Sequence, residues 1–241
     1  MSHSVRVFQT PDEMAQNFAT ILIKDLDRVE PDHFYTIALS GGSTPELFYS
    51  VIGDHFSKSV KWENVHFFWG DERCVPPDSR ESNYGMTRRS LFGKINIPES
   101  NIHRIRGEFN PAEEASRYAL EIEKYTRKRD GLPLFDLIIL GLGEDGHTAS
   151  LFPSTPQLLD SEKICDVTSH PVSMQKRITL TGRILNNACR VAFLVTGGTK
   201  AEIVEKILNK SSSAQNFPAS MIVPLYGELT WLLDKEAASF L

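Results

Sequence analysis

Short apolar runs alternate with amphipathic stretches along this chain. The runs at residues 34–39, 65–69, 135–140 and 191–195 are near-continuous and rich in β-formers, which predicts buried strands; residues 178–181 form a weaker candidate. Helical patterns lie between them. Residues 11–29 carry acids in the first turn and apolar residues at Phe18, Ile21 and Leu22. Residues 111–128 open on Pro111, with Glu113 and Glu114 early and Arg127 and Lys128 late. There Ala115, Tyr118, Ala119 and Ile122 fall at i, i+3, i+4 and i+7, one buried stripe. Residues 45–56, 84–92, 200–209 and 228–236 predict further helices. This alternation predicts an α/β fold, a doubly wound, mainly parallel sheet with helices on both faces. No repeat, low-complexity tract or long linker divides the chain, and the polar stretches 153–161 and 209–218 read as surface loops. A single domain over residues 1–241 is expected.

Four strands end in glycine-bearing loops: Ser40-Gly-Gly-Ser-Thr-Pro45, Gly70-Asp-Glu-Arg73, Gly141 to His147, and Thr196-Gly-Gly-Thr-Lys200. In an open parallel sheet the carboxyl ends of the strands share one edge, where ligands bind. Four loops far apart in sequence are therefore expected to converge on one site.

The richest of them is Gly141-Leu-Gly-Glu-Asp-Gly-His147, which brings Asp145 and His147 out of a sharp turn at a strand end. Its Gly141-x-Gly143-x-x-Gly146 also satisfies the dinucleotide fingerprint. An Asp and a His there would crowd a pyrophosphate, and no acid closes a second strand at the ribose-binding distance; Asp160 and Glu162 come too early, in a polar loop. A catalytic His–Asp turn is the better reading. No second histidine stands at i+4, so no metal site is expected. The Ser40–Pro45 loop follows a strand and opens a helix, where Gly41, Gly42, Ser43 and Thr44 offer backbone N–H groups to a phosphate or form a plain capped turn. It lacks the Gly-Lys-Ser/Thr of a nucleotide-triphosphate loop, and Pro45 excludes a nucleophile elbow. Lys200 at a helix start opposes the helix dipole, which favours a functional over a surface role, and Arg177 is a second candidate cation for the same phosphate. Asp71 and Glu72 are either loop charges, one of them pairing with Arg73, or part of the site; Arg73 aimed into a pocket stabilises charge developing on an oxygen. His66 and His103 read as structural or surface residues, and Cys74 as incidental.

Bulk properties narrow the class. With 41% hydrophobic and 24% charged residues the chain reads as an ordinary globular protein. No apolar run approaches the ~18 residues of a spanning helix, and the opening residues lack a signal-peptide pattern, so neither membrane nor export is expected. Three widely spaced cysteines fit a reducing cytoplasm, and a net charge of −5 argues against nucleic acid as a partner.

These residues carry a resemblance. Leu39-Ser-Gly-Gly-Ser-Thr-Pro45, Trp69-Gly-Asp-Glu-Arg-Cys-Val-Pro76, Ser82-Asn-Tyr84, the segment from Gly141 to Pro153, Arg177-Ile-Thr-Leu-Thr181, Gly197-Gly-Thr-Lys200 and Trp231-Leu-Leu-Asp234 with Ala237-Ala238 resemble the 6-phosphogluconolactonases of the glucosamine-phosphate-isomerase-like type. The related glucosamine-6-phosphate deaminases share the first loop and the His turn. Thr148-Ala-Ser-Leu-Phe-Pro153 and Asp71-Glu72-Arg73 depart from the deaminase pattern and favour the lactonase. The resemblance implies a Rossmann-like fold of the sugar-phosphate isomerase type. It also implies a phosphosugar lactone as substrate, no cofactor, and a cytoplasmic monomer or weak dimer. By that mechanism His147 deprotonates water, Asp145 orients it, and Arg73, with Asp71 nearby, serves the oxyanion. Gly41, Gly42, Ser43, Thr44, Arg177 and Lys200 would hold the phosphate. A non-catalytic sugar-phosphate sensor would lack His147 or Arg73, and both are present. A nicotinamide oxidoreductase ranks lower still.

Overall fold

The computed structural model describes residues 3–30 and 33–241. Its strands are β1 (His3–Phe8), β2 (Tyr35–Leu39), β3 (Val65–Trp69), β4 (Asp71–Arg73), β5 (Arg127–Arg129), β6 (Leu132–Leu134), β7 (Leu137–Leu140), β8 (Cys165–Ser169), β9 (Lys176–Leu180), β10 (Arg190–Val195) and β11 (Glu228–Asp234). Its α-helices are α1 (Pro11–Leu26), α2 (Ser43–His55), α3 (Asn83–Thr87), α4 (Pro111–Tyr125), α5 (Gly182–Leu185) and α6 (Ala201–Leu208). None is long and apolar enough to cross a membrane.

A six-stranded parallel sheet, ordered β1-β11-β10-β7-β2-β3, forms the centre. Strands β3 and β7 are buried at every position. Apolar residues at consecutive positions are what a strand covered on both faces requires. Chain order moves outward from β2 to β3, then turns back through β7, β10 and β11. Right-handed crossovers in opposite directions put the helices of the two halves on opposite faces. The reversal lies between β2 and β7, and there the loops leaving the two strands diverge and open a crevice. On one face α1 packs on α2, with the Phe18 and Phe48 rings stacked at 4.8 Å. The starts of α1 and α4 follow the sequence signals: Thr10 accepts from the Glu13 N–H, Asn110 from those of Ala112 and Glu113, and each helix opens on proline.

Several expectations need correction. Of residues 228–236, read as a helix, Glu228–Asp234 form the strand β11, lying between β1 and β10. Trp231, Leu232, Leu233 and Asp234 are all buried, and the Trp231 ring stacks on Phe193 of β10 at 4.1 Å. Its short apolar run fits either period, and burial on both faces decides for the strand. Strand β1 gave no sequence signal, since it is an edge strand whose Val5 and Val7 remain exposed. The 111–128 helix stops at Tyr125; Arg127 then enters a hairpin with β6 through Asp130 and Gly131, both at positive φ, the backbone of a two-residue hairpin turn. Helix 84–92 divides into α3 and a π-helical turn over Arg88–Phe92. Finally, the 70–73 loop contains a strand: β4 pairs antiparallel with β9, which pairs with β8 in a separate three-stranded sheet.

Candidate active site

The loops after β2, β7 and β10 and the β4–β9 ladder enclose a cleft of about 310 Å³ at the switch point. Every candidate named from the sequence lines it except Asp145, which stands behind His147, and Glu72.

The base side is local. His147 Nδ1 lies 2.5 Å from Asp145 Oδ1, and the His147 backbone N–H donates to the same oxygen at 3.1 Å. A carboxylate only accepts, so Nδ1 carries the ring proton and Nε2 is left as the acceptor. Asp145 is partly buried, which pushes its carboxyl up. The hydrogen bond and charge of His147 outweigh that and hold it down at about 2. One edge of the ring packs against Phe152 at 4.9 Å. The other approaches the backbone so closely that a Cβ on Gly143 would fall 2.1 Å from Nδ1. Glycine is required there for the ring to sit where it does.

The arginine side is assembled from distant residues. Arg73 and Arg177 are cross-strand partners on β4 and β9. Each has a buried Nε with no partner among the described residues. Arg73 Nη1 donates to the Glu81 carbonyl at 2.5 Å. Arg177 Nη1 lies 3.8 Å from Asp71 Oδ2, so the nearby acid pairs with Arg177 and not with Arg73. Burial pushes the Arg177 guanidinium below its ordinary value, with Asp71 opposing and the Arg73 charge adding to the shift. Glu72 faces away from the cleft and accepts from the N–H groups of Arg73, Asn83 and Tyr84 and from the Ser82 hydroxyl. It is a structural anion at the start of α3, where it complements the unpaired N–H groups of the first turn.

The start of α2 faces the same cleft. Gly42 takes φ +105°, a conformation open to glycine, and no side chain among the described residues caps the helix. The first-turn N–H groups of a 13-residue helix are thus left for a ligand. Thr44 Oγ1 and Thr196 Oγ1 share a hydrogen bond at 2.7 Å, which joins this loop to the one carrying Lys200. Lys200 Nζ lies 3.7 Å from Glu144.

Two further residues shape the site. Asn83 lines the cleft, its Nδ2 donates to the Asp71 carbonyl at 2.9 Å, and its side chain covers Gly41 so closely that a Cβ there would collide at 1.9 Å. Ser150 donates to Asp71 Oδ2 at 2.5 Å. Both lie inside segments singled out above, but nothing in their spacing names a partner. His66 and His103 lie in the core, as expected of structural histidines. Cys74 is pushed up to about 11, chiefly by burial, so it stays a thiol.

The switch-point cleft of this α/β fold sets a histidine–carboxylate pair opposite Arg73, Arg177 and Lys200. The profile of the family described as "Glucosamine-6-phosphate isomerases/6-phosphogluconolactonase" matches residues 9–231, and the chain belongs to that family. A 6-phosphogluconolactonase of Aggregatibacter actinomycetemcomitans is 41% identical over 231 residues, covering 95% of this chain and 94% of the relative. The solved 6-phosphogluconolactonase of Trypanosoma brucei superposes with a TM-score of 0.84 at 28% identity, over 100% of this chain and 99% of the other. A monomeric glucosamine-6-phosphate deaminase gives 0.83 at 25% identity, over 99% and 100%. The fold alone therefore does not separate the two activities.

Proposed function

We propose that this protein hydrolyses 6-phospho-D-glucono-1,5-lactone to 6-phospho-D-gluconate, the lactone-opening step of the oxidative pentose phosphate pathway. The observation that carries this reading is the His147–Asp145 pair, its Nε2 unpartnered among the described residues, in the same cleft as the α2 start and Lys200. The 6-phosphogluconolactonase name of a relative at 41% identity supports it.

A lactone is an activated ester, so water and a general base suffice and no covalent serine is needed. His147 Nε2 takes a proton as the water oxygen attacks C1, and Asp145 holds the ring and stabilises the imidazolium. The carbonyl electron pair moves onto its oxygen, beside the Arg73 guanidinium. The intermediate collapses with rupture of the C1–O5 bond; the imidazolium returns its proton to O5, and the new carboxylic acid ionises to solvent. Asp71 steadies Arg177. The first-turn N–H groups over Gly42, Ser43 and Thr44, approached closely across Gly41, hold the 6-phosphate with Lys200 and Arg177. Binding energy gained there, away from the reacting bond, serves orientation at C1.

Three free thiols support a cytoplasmic setting. The test is lactone opening measured against the spontaneous rate, with glucosamine 6-phosphate assayed in parallel. Acceleration of lactone opening alone is expected. Ammonia release without it would reverse the reading in favour of the deaminase.

A further inference from the structure

We propose that Ser150 is a positioning residue that fixes the distance between the histidine base and the arginine wall by clamping the His147 turn onto Asp71. The proposal rests on the lactonase reading above. Base and wall belong to different sheets: His147 follows β7 of the parallel sheet, whereas Arg73 and Arg177 stand on β4 and β9 of the small antiparallel one. Relative motion of the two would change the placing of the attacking water against the oxyanion donor, to which a reaction barrier is steeply sensitive.

Ser150 bridges them twice. Its hydroxyl, fully buried, donates to Asp71 Oδ2 at 2.5 Å, the same oxygen that lies 3.8 Å from Arg177. Its backbone N–H donates to Thr179 Oγ1 at 3.2 Å, and Thr179 is the cross-strand partner of Asp71. One residue, three places after His147, thus holds a facing pair of the β4–β9 ladder by both side chain and backbone.

The backbone between them fits a clamp. Ala149 adopts φ +48°, a left-handed conformation that a residue with a Cβ takes only when its surroundings impose it. Upstream of it, Thr148 Oγ1 donates to the Gly141 carbonyl at 2.9 Å, and downstream come the two Ser150 bonds. Ser150 does not line the cleft, so its effect on turnover runs through Asp71 and the turn and not through the ligand.

The test compares kcat and KM for the phosphorylated lactone in wild type, Ser150→Ala, Ser150→Cys, Asp71→Ala and the Ser150→Ala/Asp71→Ala double variant. Thermal melts confirm folding. Ser150→Ala should lower kcat by about tenfold, a loss of roughly 1.4 kcal/mol of transition-state stabilisation, with KM within about twofold. A merely structural role predicts a lower Tm without that split. Ser150→Cys fills the same space with a weak donor, so its kcat should fall likewise, and it carries the comparison if Ser150→Ala does not fold. Added to Asp71→Ala, Ser150→Ala should cost almost nothing more. The His147 ring signals in nitrogen NMR should shift in Ser150→Ala, a readout independent of activity. Wild-type kcat in a folded Ser150 variant, or multiplicative losses in the double variant, would overturn the clamp. Failure of the wild-type protein to accelerate lactone opening would instead sink the lactonase reading, and an unmoved His147 signal would still reject the clamp separately.

Discussion

Two histidine–carboxylate pairs in this molecule share a geometry and differ in everything else. His147 meets Asp145 at 2.5 Å, and His103 meets Glu121 at 2.8 Å, each through Nδ1. The His147 side chain is 25% exposed and its Nε2 has no partner among the described residues, while that of His103 is 2% exposed and its Nε2 is taken by His66 at 2.8 Å. Phe68 and Tyr125 pack on the His103 ring at 4.4 and 4.3 Å. A carboxylate behind a histidine orients the ring. Only a free second nitrogen in a solvent-accessible cleft turns that orientation into general-base chemistry.

The sharpest way to break the comparison is to remove each histidine. His147→Ala should lower kcat by about 10²–10⁴-fold with KM little changed, since a general base acts in the transition state. His103→Ala should keep kcat within about twofold and lose stability instead, because it leaves a cavity and a lone His66 in the core. Steady-state kinetics corrected for spontaneous opening, with denaturant melts, separate the two; a His147→Ala enzyme near wild-type turnover removes it from the mechanism.

The pairs should also divide under acid. Burial first, and the neighbouring His103 second, hold His66 down at about 4, against an ordinary 6.5. Between those values the unfolded chain binds a proton that the folded one refuses, so stability falls as pH drops from 6.5 to 4, by up to about 3 kcal/mol. Asp145 behaves differently. Held at about 2 against 3.8, it stays ionised over that window, and its contribution is lost only as pH falls through 4 towards 2. Urea melts at several pH values check this. His66→Gln should reduce the slope between 6.5 and 4, with His103, also pushed down chiefly by burial, accounting for what remains, and an unchanged slope in His66→Gln would place the proton uptake elsewhere.

Lys200→Ala probes the other end of the cleft. It should raise KM for the phosphorylated lactone by about 10- to 100-fold, since a hydrogen bond to a charged group contributes about 1.5–3 kcal/mol. The unphosphorylated lactone should be unaffected. Equal losses on both substrates would mean that Lys200 does not hold the phosphate. The smallest effect belongs to the backbone. Ala149→Gly relieves the left-handed strain at φ +48° and should raise stability by about 0.5–1 kcal/mol; a lower Tm would show that the Ala149 methyl contributes more by packing than its conformation costs.

Legibility followed sequence distance. The His147 turn was readable because Asp145, Gly143 and His147 lie within five residues, where local chemistry fixes their relation. The α2 start was readable for the same reason, through Gly42 and Pro45. The arginine wall was not. The pairing of Arg73 with Arg177 and the bond from Ser150 to Asp71 span 104 and 79 positions, and no pattern inside either segment encodes the partner. The helical reading of residues 228–236 failed likewise, because a short apolar run has no period of its own until its neighbours bury it.

The sequence by itself therefore determined the α/β alternation, the buried strands other than β11, and the local form of the α2 start and of the His147–Asp145 turn, all set by periodicity and by contacts within a few residues. Only the tertiary structure decided that β11 is a strand, that Arg73 faces Arg177, that Glu72 turns away from the cleft, and that His103 is sealed while His147 is open. Those outcomes depend on which surfaces meet across the sheets, and burial and hydrogen-bond satisfaction are properties of the assembled fold rather than of any segment.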